Sequence, residues 1–217
     1  MSVSPYANRI PFFSVLMCTY NRAQLLPRAI TSLLAQTETD WELIIIDDGS
    51  TDNTFEVLQP YILKHENIRY MYQQNRGLGS SRNAGVLAAC GLFVTFLDSD
   101  DEYLPDHLLI RKTALVQNND VHFIHGGIEV IGNPYVPDKD DNTKLIHLDE
   151  CVVGGTFVLR RDMVLALGGY PHIRFADDAA FYQIAVDAGV PIAKIDSPTY
   201  RYYRDTPDSL CNTMGNL

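Results

Sequence analysis

The sequence lacks a surplus of basic residues. Its 217 residues include 17 lysines and arginines against 27 aspartates and glutamates, which gives a formal net charge of -10. A protein that binds nucleic acid nonspecifically needs basic side chains to neutralise phosphates. The charge balance therefore excludes that class, and we expect no nucleic-acid partner.

Closely spaced cysteine pairs, a membrane-spanning run and a leader pattern are also not visible in this sequence. The four cysteines, at positions 18, 90, 151 and 211, form no Cys-x-x-Cys pair, which indicates free thiols in a reducing compartment. No apolar run approaches the roughly 20 residues of a transmembrane helix, and the amino terminus has no signal-peptide pattern. We expect a cytoplasmic protein without a transmembrane span; peripheral attachment to the inner face of a membrane and a homodimer stay open.

What the sequence does have is a regular alternation of strand and helix patterns. It is 46 % hydrophobic and 20 % charged, enough for a sizeable core. Apolar runs predict strands over 12–18, 41–46, 67–72 and 92–97, and helical spacings predict helices over about 25–34, 55–62, 82–90 and 105–118. Asn21 is predicted to cap the first helix, and residues 77–81 to form a flexible turn. This alternation implies an α/β fold with a Rossmann-like, doubly wound, mostly parallel sheet.

Two of the apolar runs end in clustered carboxylates. Asp47 and Asp48 follow Ile44-Ile45-Ile46, and the run Asp98-Ser99-Asp100-Asp101 follows Phe96-Leu97. The carboxyl ends of strands in an open α/β sheet are where ligands bind. Three aspartates within four residues repel one another unless a cation joins them. The pattern predicts a divalent metal that holds an anionic ligand, most simply a diphosphate.

The pattern changes after about residue 120. It predicts a strand over 121–131, an exposed loop over 132–144, a strand over 152–159, helices over 161–167 and 179–188, and a strand over 192–195. No repeat or linker interrupts the chain. We expect one domain, 1–217, with a nucleotide half (12–118), which is the donor half of the chain, and an acceptor half (119–217).

The motifs, taken in order, resemble those of the family 2 glycosyltransferases of the GT-A fold. They are Cys18-Thr19-Tyr20-Asn21-Arg22, Asp47-Asp48-Gly49-Ser50, Asn75-Arg76-Gly77, Arg82-Asn83-Ala84-Gly85 and Leu97-Asp98-Ser99-Asp100-Asp101, with Gly168-Gly169-Tyr170 and Asp177-Asp178 further on. Each motif is weak alone, but their order and spacing are specific. The resemblance implies an inverting, hexosyltransferase-type enzyme. It would use a nucleotide-sugar donor, most simply a UDP-sugar, with Mn²⁺ or Mg²⁺, and a hydroxyl acceptor on a polysaccharide, glycolipid or lipid-linked glycan.

The resemblance also assigns roles on the donor side. Thr19 and Tyr20 would line the nucleobase, and Asp48 would accept a hydrogen bond from a pyrimidine ring nitrogen. Arg82 would approach the donor. Asp98 and Ser99 would hold the ribose side of the donor, with Asp100 as the first choice of metal ligand and Asp101 as the second.

On the acceptor side the resemblance makes Asp178 the catalytic base, with Asp177 as its partner in the site. A helix amino terminus favours an ionised carboxylate, and a second carboxylate nearby raises one of the two pKa values. Asp178 could instead be only a helix cap. A basic residue that family members often carry after the base is replaced by Tyr182-Gln183-Ile184, and a histidine near the end is replaced by Thr206, beside Asp205.

Two other functions stay open. A metal-dependent nucleotidyltransferase would share the nucleotide-binding architecture, but the loop Tyr20-Asn21-Arg22-Ala23 lacks the glycines that would grip a triphosphate. A nucleotide-sugar-binding homologue without catalysis is compatible with the replacements around residues 182–184 and 206. The six histidines show no metal-ligand spacing, so they are not expected to form a metal site.

Overall fold

The computed structural model describes residues 10–138, 141, 143–173 and 176–205. Its strands are Phe13–Thr19 (β1), Trp41–Asp47 (β2), Ile68–Tyr72 (β3), Phe93–Phe96 (β4), Glu102–Tyr103 (β5), Phe123–His125 (β6), Ile128–Ile131 (β7), Tyr135–Pro137 (β8), Leu145–His147 (β9), Val158–Arg160 (β10), Ile192–Lys194 (β11) and Tyr200–Tyr203 (β12). Its α-helices are Leu26–Leu34 (α1), Thr54–Lys64 (α2), Leu78–Ala88 (α3), His107–Gln117 (α4), Arg161–Ala166 (α5) and Asp177–Asp187 (α6).

The centre of the fold is a seven-stranded sheet in the order β11-β6-β10-β4-β1-β2-β3. The pairs β1–β2, β2–β3, β1–β4 and β6–β11 are parallel, whereas β10 is antiparallel to both of its neighbours. Two apolar clusters cover the two faces of the sheet, which explains why β1 and β2 read as nearly continuous apolar runs. The predicted mostly parallel, doubly wound α/β fold is confirmed, with one antiparallel insertion.

Two local predictions in the first half are wrong. Residues 78–81 form the first turn of α3 rather than a flexible turn, because α3 begins at Leu78. Asn21 does not cap α1, which begins at Leu26 without a side-chain cap. Asn21 has a φ of 53° instead, and its side-chain oxygen accepts a hydrogen bond from the Thr51 N–H at 2.8 Å. It ties the loop after β1 to the loop after β2.

The second half differs more from its sequence pattern. The strand predicted over 121–131 is two strands in different sheets, β6 and β7, separated by Gly126 and Gly127 with φ values of 89° and 77°. A side chain at Gly126 would contact the Ile195 carbonyl at 2.7 Å, so the chain crosses there only with glycine. The loop predicted over 132–144 includes β8, which pairs with β9. The strand predicted over 152–159 is a 3₁₀ turn, Gly154–Thr156, followed by the short β10.

A small second sheet joins the two halves of the chain. Its order is β5-β12-β7, so the last described strand pairs with a strand that directly follows the acidic run 98–101. Among the described residues, no helix is long and apolar enough to cross a membrane.

Candidate active site

A cavity of about 1240 Å³ opens at the carboxyl edge of the parallel strands. The predicted site residues that line it are Thr19, Tyr20, Asp48, Arg82, Asp98, Ser99, Asp100, Asp177 and Asp178. The structure therefore brings together every predicted site residue except Asp101, although Asp177 and Asp178 are far from the others in the sequence.

The loop after β1 forms one rim of the cavity. Tyr20 is 48 % exposed there, so its ring is available to a ligand. Thr19 is buried, and its hydroxyl finds no hydrogen-bond partner within the described part of the chain. A buried hydroxyl that lines a cavity without a partner is suited to meet a bound molecule.

Asp48 holds the loop after β3 in place. Its Oδ1 accepts hydrogen bonds from Gln73 Nε2 at 2.7 Å and from the Arg76 N–H at 2.9 Å, and its Oδ2 accepts one from the Gly77 N–H at 2.8 Å. A carboxylate has about four acceptor positions, so one position remains for a ligand on the cavity side. From the sequence, Asp48 was predicted to accept a hydrogen bond from a nucleobase. Its bonds to the loop after β3 were not predicted.

The acidic loop after β4 presents Asp98, Ser99 and Asp100 to the cavity. Burial raises the pKa of Asp98; Arg82 opposes this shift, and the neighbouring carboxylate of Asp100 adds to it. Arg22 lies 3.6 Å from Asp100 Oδ2. Arg28 donates to the Asp100 carbonyl and stacks over the Tyr203 ring, 3.7 Å from its centroid. Neither arginine was given a role from the sequence, although Arg22 stands in the motif after β1; Arg28 lies in α1.

Asp101 points away from the cavity into the protein. It is fully buried, and it accepts hydrogen bonds from the Tyr200 hydroxyl at 2.7 Å and from the Tyr203 N–H at 2.8 Å. Burial, followed by the charge of Asp98, raises its pKa well above the ordinary range. This placement favours Asp100 over Asp101 as the residue that faces a metal.

Arg82 and Asp177 form a buried ion pair across the cavity. Arg82 extends from α3, its Nη1 lies 2.7 Å from Asp177 Oδ2, and its side chain is 4 % exposed. The Tyr170 and Phe96 rings flank the guanidinium. Burial lowers the pKa of Arg82, but the surrounding acidic groups, Asp177 first among them, together outweigh this effect and raise the pKa above the usual range. This ion pair thus links α3 to α6.

Asp178 lies beside this ion pair at the start of α6. Its Oδ2 accepts a hydrogen bond from the Gly154 N–H at 2.9 Å, and its Oδ1 accepts one from the Ala179 N–H at 2.8 Å. Burial raises the pKa of Asp178; Arg82 opposes the shift and Asp177 adds to it. A half-buried carboxylate with a raised pKa that lines a cavity is suited to accept a proton.

The segment before α6 is fastened to the donor half by Asn83. The Asn83 side chain donates to the Tyr170 carbonyl at 2.9 Å and accepts from the Tyr170 N–H at 2.7 Å. A Cβ at Gly169 would overlap the Asn83 amide, so the close approach needs glycine. The motifs Arg82-Asn83 and Gly168-Gly169-Tyr170 were noted separately in the sequence, and the fold joins them.

The acidic loop offers ligands for a hard divalent cation, but only together with oxygens from a bound molecule. Asp98 and Asp100 offer carboxylate oxygens, the donor type that Mg²⁺ and Mn²⁺ prefer. Within the described ranges, no group of three or more histidine, cysteine, aspartate or glutamate side chains could hold a metal by itself. A cation here would need further oxygens from a bound diphosphate or water.

Comparison with known proteins agrees with this arrangement. The sequence model described as Glycosyl transferase family 2 matches residues 14–167. The chain belongs to glycosyltransferase family 2. One curated relative of this family 2 chain is UDP-Glc:alpha-D-GlcNAc-diphosphoundecaprenol beta-1,3-glucosyltransferase WfgD of Escherichia coli. The two are 30 % identical over 185 residues, which cover 82 % of this chain and 71 % of WfgD.

Solved structures place this family 2 chain in the GT-A fold. S. aureus TarS in complex with UDP-GlcNAc has a TM-score of 0.75 at 21 % identity, over 91 % of this chain and 60 % of that one. Mannosyltransferase PcManGT from Pyrobaculum calidifontis, in complex with GDP-Man and Mn²⁺, has a TM-score of 0.71 at 18 % identity, over 95 % and 60 %. The chain spans less than two thirds of the length of most curated relatives that it matches.

Proposed function

We propose that this chain transfers a hexose from a UDP-sugar to a hydroxyl group of a glycan or lipid-linked glycan, with inversion at the anomeric carbon. The observation that carries the proposal is that Asp178 and the acidic loop face one cavity from opposite halves of the chain. A donor held at the acidic loop would present its sugar toward Asp178.

The donor assignment rests on the chemistry of the cavity rim. Tyr20 offers an exposed ring for a nucleobase, and Asp48 keeps one acceptor position for a ring N–H. UDP is favoured because a pyrimidine ring N–H is a good donor to an ionised carboxylate. TarS is described with UDP-GlcNAc and WfgD as using UDP-Glc, whereas PcManGT is described with GDP-Man, so the base is a point to test.

Asp100, with Asp98 beside it, would hold Mn²⁺ or Mg²⁺ together with the donor diphosphate. A bound divalent ion would supply Lewis-acid charge near the departing diphosphate. Asp98 and Ser99 would hold the ribose side of the donor. Arg22 adds positive charge near this loop, which is valuable to a dianionic ligand in a chain of net charge -10.

Asp178 would act as general base. The acceptor oxygen forms its bond to the anomeric carbon while the bond from that carbon to the diphosphate oxygen breaks, and the acceptor proton passes to a carboxylate oxygen of Asp178. One displacement inverts the configuration. The raised pKa of Asp178 brings this carboxylate closer to the pKa of a useful base at neutral pH. Arg82 would favour the charged form of Asp178, and Asp177 would hold Arg82 in place.

The other two functions are less well supported. A nucleotidyltransferase would need a grip on a triphosphate after β1, and this loop is instead tied by Asn21 to the loop after β2. An inactive homologue would have no reason to keep a buried ion pair beside a carboxylate with a raised pKa. Thr206, which stands where a histidine is often found, lies outside the described residues.

The test is a transfer assay. A panel of UDP-sugars and GDP-mannose would be screened by thermal shift with Mn²⁺ or EDTA, because ligands that bind the folded state raise its apparent stability. Stabilising donors would then be incubated with hydroxyl acceptors, and the anomeric configuration of the product read by NMR. Transfer with retained configuration, or stabilisation without any transfer, would contradict the proposal.

A further inference from the structure

The antiparallel course of β10 brings a glycine pair to the active site. The other six strands of the large sheet run in one direction, so their carboxyl ends form the site edge. Because β10 runs the opposite way, the residues just before it lie at that edge. Those residues are Gly154 and Gly155, at the start of the 3₁₀ turn Gly154–Thr156. Both glycines are buried.

Gly154 separates the proposed base from the buried arginine. A Cβ added at Gly154 would lie 2.9 Å from Asp178 Cβ, 3.1 Å from Asp178 Oδ2 and 3.0 Å from Arg82 Nη2. The Gly154 N–H also donates to Asp178 Oδ2 at 2.9 Å. The peptide at this position thus orients one carboxylate oxygen, and the missing side chain leaves room for both charged groups.

Gly155 makes room for the Tyr200 phenol. A Cβ added at Gly155 would overlap the Tyr200 hydroxyl and the ring carbon that carries it. The same hydroxyl donates to Asp101 Oδ2 at 2.7 Å, accepts from the Asp98 N–H at 3.3 Å and lies 3.4 Å from Asp98 Oδ2. Tyr200 is fully buried and comes from β12 in the small sheet. It reaches both ends of the acidic loop from beneath.

We propose that the Gly154–Gly155 turn positions the base and the acidic loop relative to each other. Gly154 sets Asp178 directly, and Gly155 sets the acidic loop through Tyr200, which bonds Asp98 and Asp101, the residues that enclose Ser99 and Asp100 in the chain. This inference rests on the proposed function for the role of Asp178. The two glycines are adjacent, yet they contact different groups. Gly154 contacts the proposed base, and Gly155 contacts the tyrosine that supports the acidic loop. A side chain at one position should therefore disturb a different kinetic constant from a side chain at the other.

The experiment compares Gly154→Ala with Gly155→Ala. In Gly154→Ala the base is displaced, so kcat should fall by about 10²-fold, the cost of roughly 1 Å of misplacement. UDP affinity in Mn²⁺ should fall by a much smaller factor, because Arg82, the other group near the added Cβ, stays paired with Asp177. In Gly155→Ala the acidic loop shifts, so UDP affinity in Mn²⁺ should fall by about 10–100-fold, as for other partners of metal ligands. Calorimetry gives the affinity, and steady-state kinetics give kcat and KM.

Two matched controls separate positioning from loss of stability. Gly168 has a φ of 85° and open space around its Cβ position, so Gly168→Ala strains the backbone without displacing a site group. Tyr200→Phe removes only the hydroxyl and should lower UDP affinity as Gly155→Ala does. It therefore tests the same contact if Gly155→Ala fails to fold. Tyr103→Phe removes another buried tyrosine hydroxyl, one that donates to the Phe96 carbonyl, and should leave UDP affinity unchanged.

The outcomes distinguish this inference from the proposed function. A wild-type chain that binds UDP and transfers nothing counts against the proposed function, and the affinity of Gly155→Ala and Tyr200→Phe then decides the inference alone. If the wild type transfers sugar, parallel loss of kcat and affinity in both alanine variants would overturn the inference. Wild-type behaviour in both would overturn it as well.

Discussion

The two halves of this chain are built in different ways. In the donor half, β1 and β2 are seven residues long, and every residue of β2 is buried. In the acceptor half, β6, β10 and β11 have three residues each. The donor half owes its shape to a continuous apolar core, whereas the acceptor half depends on particular contacts such as those of Asn83 with Tyr170. Except at Gly155 and Tyr200, which support the acidic loop, donor binding should therefore tolerate changes in the acceptor half better than turnover does.

The largest expected effect separates the halves at the base. Asp178→Asn keeps the shape of the side chain and an oxygen for the Gly154 N–H, but it removes the basicity. We expect kcat to fall by about 10²–10⁴-fold, the usual contribution of a positioned proton-transfer group, with UDP affinity unchanged. Steady-state kinetics and calorimetry measure the two quantities.

The matched control for this change is Asp187→Asn. Asp187 lies in the same helix, is exposed, and accepts a hydrogen bond from Gln183. It should retain full activity. Turnover retained in Asp178→Asn would mean that Asp178 only holds the Gly154 turn against the first turn of α6, because asparagine keeps an oxygen for the Gly154 N–H.

The second effect tests the donor half at the acidic loop. Asp100→Ala should abolish the difference in UDP affinity between Mn²⁺ and EDTA, a loss greater than the roughly 10–100-fold typical of an outer partner. Asp101→Asn should keep a metal-dependent difference but unfold at a lower temperature, because it weakens the hydrogen bonds with Tyr200 and Tyr203. Equal UDP affinity with and without metal in the wild type would reject the metal assignment.

A third test asks whether Asp48 recognises the base or only supports its loop. A lost hydrogen bond to a charged acceptor costs roughly 1.5–3 kcal/mol, so Asp48→Ala should weaken UDP by about that amount and ADP by less. Calorimetry with both nucleotides measures the difference. Equal losses would mean that the bonds to Gln73, Arg76 and Gly77 are the whole role of Asp48.

The smallest expected effect is a shift in pH dependence. A protonated Asp178 cannot accept the acceptor proton, so kcat should fall as the pH drops through its pKa, which burial raises above the ordinary value of an aspartate. The charge of Asp177 raises that pKa further. Asp177→Asn keeps an oxygen for Arg82, so the acid limb of the kcat profile should move to lower pH. An acid limb that stays in place, or moves upward, would contradict this assignment.

The same raised pKa has a consequence for stability. A carboxyl group that titrates higher in the folded protein than in the unfolded chain binds its proton more tightly when folded. Its contribution therefore favours the folded state at low pH and is lost as the pH rises through the folded pKa. Asp178→Asn should remove this loss, so the variant should melt at a higher temperature than the wild type near neutral pH, consistent with strain at a functional site.

The sequence by itself determined the donor half. Long apolar runs that end in Asp47-Asp48 and Asp98-Ser99-Asp100-Asp101 predict strands buried on both faces, and parallel strands deliver those carboxylates to one edge. The strand boundaries agree with the pattern to within one residue at β1, β2 and β3. The α/β fold was predicted from these patterns, whereas the nine predicted site residues that line the cavity came from the resemblance of the motifs to family 2 glycosyltransferases.

Only the tertiary structure decided how the acceptor half completes the site. Three-residue strands carry too little periodicity to reveal their direction, so the antiparallel course of β10, and with it the position of Gly154 and Gly155, left no signal in the sequence. Asp101 is buried and Asp100 faces the cavity. This difference likewise depends on Tyr200, which bonds Asp101 from 99 residues away in the chain. Local patterns report burial and period, but a contact between distant residues is fixed only when the core brings them together.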